Sequence, residues 1–194
     1  MYEYIKGKLT ELNAAYAVVE SGGIGYSIQI SLNTFSKLTL NDNALLYLHF
    51  IVREDVQQLF GFADKTERNV FKHLIAVNGI GPNTARMILS SLGPEELMQA
   101  IATKNISVLK SIKGIGQKSA ERMVIELKDK LVTSDADFSH NFNNVSNSLY
   151  DDALQALLML GFNRASIDKV LREIMKSSTE SSVEQIVKRA LKEL

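Results

Sequence analysis

The chain contains no cysteine, which excludes disulfides, a thiolate nucleophile and cysteine-based zinc sites together, and fits a reducing cytoplasm. Its three histidines, His49, His73 and His140, stand far apart in unrelated contexts. Each reads as a solvated or half-buried side chain, and no metal site or cofactor is expected. No apolar run reaches the length of a membrane span, and the opening Met1-Tyr2-Glu3-Tyr4 lacks the charged-then-apolar pattern of a secretion signal, so a cytoplasmic protein is expected. An excess of charge of either sign is also missing, since the formal net charge is zero. That balance is uneven along the chain. Residues 1–63 hold 4 basic and 6 acidic side chains, and residues 149–194 hold 7 of each, but residues 64–134 hold 11 basic against 7 acidic. Lys110, Lys113, Lys118 and Arg122 crowd the end of this basic segment. On a helical segment such a cluster is ordinarily a solvated face, whereas beside a phosphate polymer it is a source of affinity through counterion release.

The basic segment carries a phrase that occurs twice, Val77-Asn78-Gly79-Ile80-Gly81-Pro82-Asn83-Thr84-Ala85 and Ile112-Lys113-Gly114-Ile115-Gly116-Gln117-Lys118-Ser119-Ala120. In each copy an apolar helical stretch runs into Gly-Ile-Gly, a hydroxyl residue follows, and a second helix begins. A single Gly-Ile-Gly between helices is ordinarily a tight connection. A second copy 35 residues on is a repeated device. Its glycines open backbone angles closed to other residues, and the following helix offers unpaired amides and the positive end of its dipole, which suits one phosphate per copy. Gly116-Gln117-Lys118-Ser119 does not complete a nucleotide-binding P-loop, because Gln117 separates glycine from lysine and a helix precedes it where a strand is needed. Neither copy has the third glycine of a dinucleotide fingerprint.

Around this segment the chain divides into parts. Residues 1–63 read as five strands, Tyr2 to Lys8, Ala14 to Val19, Gly25 to Ser31, Ala44 to Arg53 and Gln57 to Phe62, with a helical turn inside Asn33 to Leu38. This is the outline of an OB-type β-barrel. Such barrels often bind single strands through exposed aromatics, but Phe50 and Phe60 alternate with polar neighbours as core residues do. Glu54 and Asp55, between the last two strands, read as a solvated turn on their own, and two adjacent carboxylates do not make a two-metal site. Residues 64–131 read as a tandem of helix-hairpin-helix units whose last helix ends at Lys130. Residues 132–148, rich in Thr, Ser, Asp and Asn, read as a flexible linker. Residues 149–194 read as a three-helix bundle, with Gly161 as a left-handed C-cap. The fold class is therefore multi-domain α+β.

In this order of parts the chain resembles the RuvA family, the junction-binding subunit of the bacterial Holliday-junction branch-migration complex. The most specific carriers are Tyr4-Ile5-Lys6-Gly7, Arg53-Glu54-Asp55 leading to Leu59-Phe60-Gly61-Phe62, and Gly114-Ile115-Gly116-Gln117-Lys118-Ser119-Ala120-Glu121-Arg122. The resemblance implies a non-catalytic homotetramer, single or paired face to face as an octamer, that grips the four arms of an open, planar junction in recombination and DNA repair. It implies DNA-binding residues at Gly79, Gly81, Asn83, Thr84, Gly114, Gly116, Gln117, Lys118, Ser119 and Arg122, and an acidic pin of Glu54 and Asp55 at the crossover. Family members commonly carry lysine where this chain has Asn83, which implies a weaker grip by the first hairpin unless Lys72 or Arg86 compensates. The tail, similar to ubiquitin-associated three-helix domains, is implied to recruit a hexameric RuvB-type ATPase, and a RuvC-type resolvase to share the assembly. Leu160, Gly161 and Phe162 are candidate motor contacts, although a helix end packed into its own core explains the same three residues.

Two other functions use the same residues. A base-excision glycosylase with a lyase step would place its Schiff-base lysine at Lys118 and its aspartate at Asp135 or Asp137. A nonspecific duplex binder or nuclease accessory subunit would use the hairpins without a preference for junctions.

Overall fold

Alternation in the first strands sends Ile5 and Leu9, Ala17 and Val19, Ile28, and Ala44, Leu46 and Leu48 to one side, where they form a continuous buried core. In the computed structural model, which describes residues 2–138, 148–176 and 182–194, these residues line the inside of a barrel. Strands β1 (Tyr4–Leu12), β2 (Tyr16–Ser21), β3 (Ile24–Gln29), β4 (Asn43–Val52) and β5 (Gln57–Phe62) close in the order β1-β2-β3-β5-β4. All pairings are antiparallel except β3 with β5. The short helix α1 (Leu32–Phe35) fills the connection from β3 to β4, as an OB-type barrel requires.

Phe50 and Phe60 part company. Phe60 is fully buried, but on the outer side of the barrel, where it and Phe62 stack on Phe71 of helix α2 (Lys65–Ile75), with ring centroids 5.1 and 4.9 Å apart. Phe50 has the inward parity of Leu46 and Leu48 but lies near the strand's end, half-buried and edge-on to Tyr2 at 5.4 Å in an open groove. His49 is half-buried against Phe71, and burial, helped by Lys72 and Arg68, holds its imidazole below the usual pKa.

The helices continue as α3 (Pro82–Ser91), α4 (Pro94–Ala102), α5 (Ile106–Ser111) and α6 (Gln117–Phe138). Start chemistry explains their N-termini. Asp64 accepts from the Glu67 amide at 2.7 Å, Asn105 from the Val108 amide at 3.2 Å, and Pro94 opens a turn in which Glu96 accepts from the Gly93 amide at 3.1 Å. Helix α6 runs past the expected end at Lys130 and takes in residues 132–138 of the expected linker, including Asp135 and Asp137. A helix already nucleated extends at little cost through residues that would not start one. The rest of the expected linker before Ser148, residues 139–147, lies outside the described residues.

Barrel and hairpin helices belong to one compact unit, residues 1–134, so residue 63 separates two motifs within it. Their join includes polar groups. Glu67 is fully buried and accepts hydrogen bonds from Ser31 Oγ and, at 2.8 Å, from Thr34 Oγ1, while Thr34 Oγ1 accepts from the Ala63 amide at 3.0 Å. Arg68 donates to the Glu3 carbonyl at 3.0 Å and pairs with the Glu3 carboxylate at 2.6 Å, which holds that carboxyl below its ordinary range. Removing the Glu67 acceptor strands two buried hydroxyls. Glu67→Ala is therefore expected to lower unfolding free energy by about 2–3 kcal/mol, measurable by urea denaturation.

The second unit packs α7 (Ser148–Met159), α8 (Arg164–Lys176) and α9 (Val183–Glu193) around Leu154, Leu157, Ile167, Leu171, Ile174 and Ile186. Tyr150 donates to Asp168 at 2.9 Å and ties α7 to α8. Among the described residues no helix is long and apolar enough to cross a membrane.

Candidate nucleic-acid interface

The two hairpins repeat each other bond for bond. Gly79 and Gly114 take φ of 89° and 88°, a left-handed turn that glycine adopts without penalty. The Ile80 amide donates to the Val77 carbonyl at 3.1 Å, and the Ile115 amide to the Ile112 carbonyl at 3.0 Å. Val77, Ile80 and Ala85 are buried, as are Ile112, Ile115 and Ala120. The first intrahelical bonds are Ala85 to Gly81 at 2.9 Å and Ala120 to Gly116 at 3.0 Å. The earlier amides, of Asn83 and Thr84 in α3 and of Gln117, Lys118 and Ser119 in α6, thus have no partner one turn back. No side chain caps α3 at Gly81. Gly81 and Gly116 each face open space, with no atom beyond their chain neighbours within 4 Å of where a Cβ would be. This arrangement lets a phosphate approach backbone donors at the positive end of a helix.

The copies also cover each other. A Cβ on Gly79 would lie 3.8 Å from Arg122 Nη1, and one on Gly114 would lie 3.6 Å from Met87 Cε. Residues 87 and 122 are equivalent under the repeat, so each turn is roofed by the matching residue of the other copy's second helix. The hairpins are related by an approximate twofold axis. Arg122 strengthens this tie by donating to the Asn78 carbonyl at 3.0 Å. Arg122, which the resemblance implies as a DNA contact, also holds the first hairpin, and the 35-residue offset of the repeat places it opposite Gly79.

Charge distinguishes the copies. Lys110, Lys113 and Lys118 are exposed around the second hairpin, whereas the first offers Asn83 at the position of Lys118. The two residues named to compensate have other neighbours in the fold. Arg86 donates to the Ala15 carbonyl at 2.6 Å and to Gln29 Oε1 at 3.0 Å and is committed to the barrel. Lys72 lies in the electrostatic neighbourhood of Arg68, Glu3 and His49, and burial pulls its ammonium below the usual pKa. The Gln117 side chain donates to Glu121, which leaves its backbone amide as the group available to a ligand.

Glu54 and Asp55 sit exposed at the bend between β4 and β5, closed by the Arg53 amide on the Val56 carbonyl at 2.8 Å. Neither carboxylate has a side-chain partner among the described residues. In the second unit Gly161 takes φ of 93° as the expected C-cap. The Phe162 amide bonds the Leu157 carbonyl at 3.2 Å and the Gly161 amide bonds the Leu158 carbonyl at 3.0 Å, a paired closure that turns Phe162 onto its own core. Leu160 and its neighbour Met159 are left outward, 59% and 88% exposed.

A lyase would need its lysine dry and a carboxylate held near it. Lys118 is instead exposed in the first turn of α6, and Asp135 and Asp137 fall in the same helix, their side chains outside the described residues.

Comparison with known proteins follows the same divisions. Residues 1–61 match the RuvA N terminal domain, residues 71–129 the SAM-like helix-hairpin-helix tandem, and residues 148–194 the RuvA C-terminal domain. A relative from Christiangramia forsetii is 46% identical over 194 residues, covering all of both chains. One from Bacteroides thetaiotaomicron is 45% identical over 201 aligned residues, again with both chains fully covered, and one from Flavobacterium psychrophilum is 42% identical over 194 with the same coverage. Each is named Holliday junction branch migration complex subunit RuvA. With the barrel, the paired hairpins and the terminal helices matched in order and relatives aligned over the whole chain, the chain belongs to the RuvA family.

Proposed function

We propose that this chain binds four-way DNA junctions, holds them open and planar, and recruits a hexameric RuvB-type ATPase for branch migration in recombination and DNA repair. The observation that carries this reading is the pair of matched hairpins, each presenting first-turn amides behind a glycine with open space before it. Two such cradles related by an approximate twofold suit the two backbones that flank one minor groove of a duplex arm. The contacts are to phosphates, so they position the arm and read no bases. Gly79, Gly81, Asn83 and Thr84 form one cradle, and Gly114, Gly116, Gln117, Lys118 and Ser119 the other, with Lys118 supplying charge. Four copies, as a homotetramer or as two tetramers face to face, match the four arms. Glu54 and Asp55 of each copy then meet the crossover, where their charge repels phosphates and keeps the strands apart.

The chain acts without catalysis in the cytoplasm, and the work of strand exchange comes from the motor. The tail carries motor recruitment, with Leu160 and Met159 as the available apolar contact, and a RuvC-type resolvase shares the assembly. Gel-shift titration on a four-way junction and on linear duplex of equal length tests the reading. Tighter binding of the junction supports it, and equal binding of both returns the chain to a nonspecific duplex binder. A chain ending after Phe138 is expected to keep junction binding and lose stimulation of the motor's ATPase, because the hairpin unit closes before that point. Loss of DNA binding by this truncation would contradict the division of labour.

A further inference from the structure

Arg86 is where the two hairpin copies differ most in what they hold. In the first copy its guanidinium leaves α3 one turn after the open amides and reaches the barrel, donating to Ala15 O between β1 and β2 and to Gln29 Oε1 at the end of β3. A second rung lies one turn further along α3. There the Leu32 amide donates to Ser90 Oγ at 3.0 Å, and Ser90 Oγ donates back to the Arg86 carbonyl at 2.8 Å. The equivalent of Arg86 in the second copy is Glu121, an exposed residue held by Gln117 of its own helix. The first hairpin is therefore bonded to the barrel directly, and the second follows through the Arg122 bond to Asn78 and the packing of Met87 over Gly114.

We infer that Arg86 is a positioning residue that fixes the first hairpin relative to the barrel and its acidic turn, and thereby sets the preference for junctions over linear duplex without touching DNA. The inference rests on the junction reading above. Its logic is that of linked sites. A junction must seat four arms on the hairpins of four copies at once, and that simultaneous engagement is lost when a copy holds its hairpins at the wrong angle to its barrel. Linear duplex lies along the hairpins of no more than two copies, so their orientation to the barrel matters less to it. Both acceptors of Arg86 are neutral oxygens, and a hydrogen bond from a charged donor to such an oxygen is among the stronger ones available.

The test compares full-length wild type, Arg86→Leu and Gln29→Leu on a four-way junction and on linear duplex across a salt titration, with thermal melts as a check of folding. The expected result is a junction affinity about tenfold lower for Arg86→Leu, because the orientation that the bond fixes in the free protein must then be imposed on binding, with duplex affinity lowered by a smaller factor and its salt dependence unchanged. Gln29→Leu keeps the cation and removes one anchor, so its junction affinity is expected to shift in the same direction by a smaller factor. If Arg86→Leu weakens duplex binding as much as junction binding and lowers the salt slope by about one, while Gln29→Leu binds as wild type, Arg86 is a phosphate contact and the inference is wrong. Should Arg86→Leu fail to fold, Gln29→Leu decides, and an unchanged junction preference in it overturns the inference. Equal binding of both DNAs by the wild type would instead sink the junction reading itself.

Discussion

Neutralising the acidic turn, Glu54→Gln with Asp55→Asn, is expected to tighten junction binding by about tenfold at low salt, with the gain shrinking as ionic strength rises. The direction is opposite to that of most substitutions at a binding surface. Both carboxylates are exposed and lack side-chain partners among the described residues, so removing their charge breaks no bond within the fold and leaves stability unchanged. Under the junction reading, what they contribute is repulsion. Each copy brings two negative charges to a crossover lined with phosphates, and a surface charge a few Å from a phosphate is opposed by about 1 kcal/mol in water. Linear duplex running across the centre meets the same repulsion along its length, so its binding should gain more than that of the junction and the preference should relax. Branch-migration rates with the motor present should change with it. Unchanged binding to both DNAs throughout a salt titration would show that Glu54 and Asp55 are an ordinary solvated turn.

Much of this site is visible in the residues themselves, because its parts are local. Strand alternation, the C-cap at Gly161 and the two Gly-Ile-Gly turns depend on neighbours within a few positions, and the structure has all of them. What the residues do not show are contacts between distant segments. Phe60 reads as a packing residue from its alternation and is one, but only the outer packing of α2, through Phe71, reveals which face it occupies. Glu67 follows Asp64 at the spacing of helix-start chemistry, and nothing near it in the chain marks it as buried. Its burial depends on Ser31 and Thr34, more than 30 positions earlier. Arg86 stands beside a phosphate-binding motif in sequence, and the carbonyl that captures it, Ala15, lies 71 positions away. Charged side chains with long reach are the hardest to place from sequence, since the chain alone does not say which of several acceptors they find.

The largest loss of DNA binding is expected from substitutions in the second hairpin, and its two glycines should fail for different reasons. Gly114 holds φ of 88°, and the nearest atom to an added Cβ, Met87 Cε, is at an ordinary contact distance of 3.6 Å. Gly114→Val therefore meets backbone strain more than a clash, and a β-branched residue forced into this region costs about 1–2 kcal/mol or more, enough to unwind the turn locally. Gly116 is free of that constraint. Its φ lies outside the left-handed region, and no atom beyond its chain neighbours lies within 4 Å of its would-be Cβ, so Gly116→Val should fold, at a cost of about 1 kcal/mol or less for valine at a helix start. What the valine occupies is the space in front of the Gln117, Lys118 and Ser119 amides, where the phosphate is proposed to sit. Gly116→Val is expected to lower junction affinity by about a hundredfold, since several aligned donors are blocked at once. Lys118→Ala removes one exposed, screened charge and should cost about fivefold, with a salt slope reduced by about one. The order of these effects separates backbone recognition from simple charge attraction. Were Lys118→Ala to lose more affinity than a normally folded Gly116→Val, the exposed lysines would be the site, and the hairpins would be connections between helices.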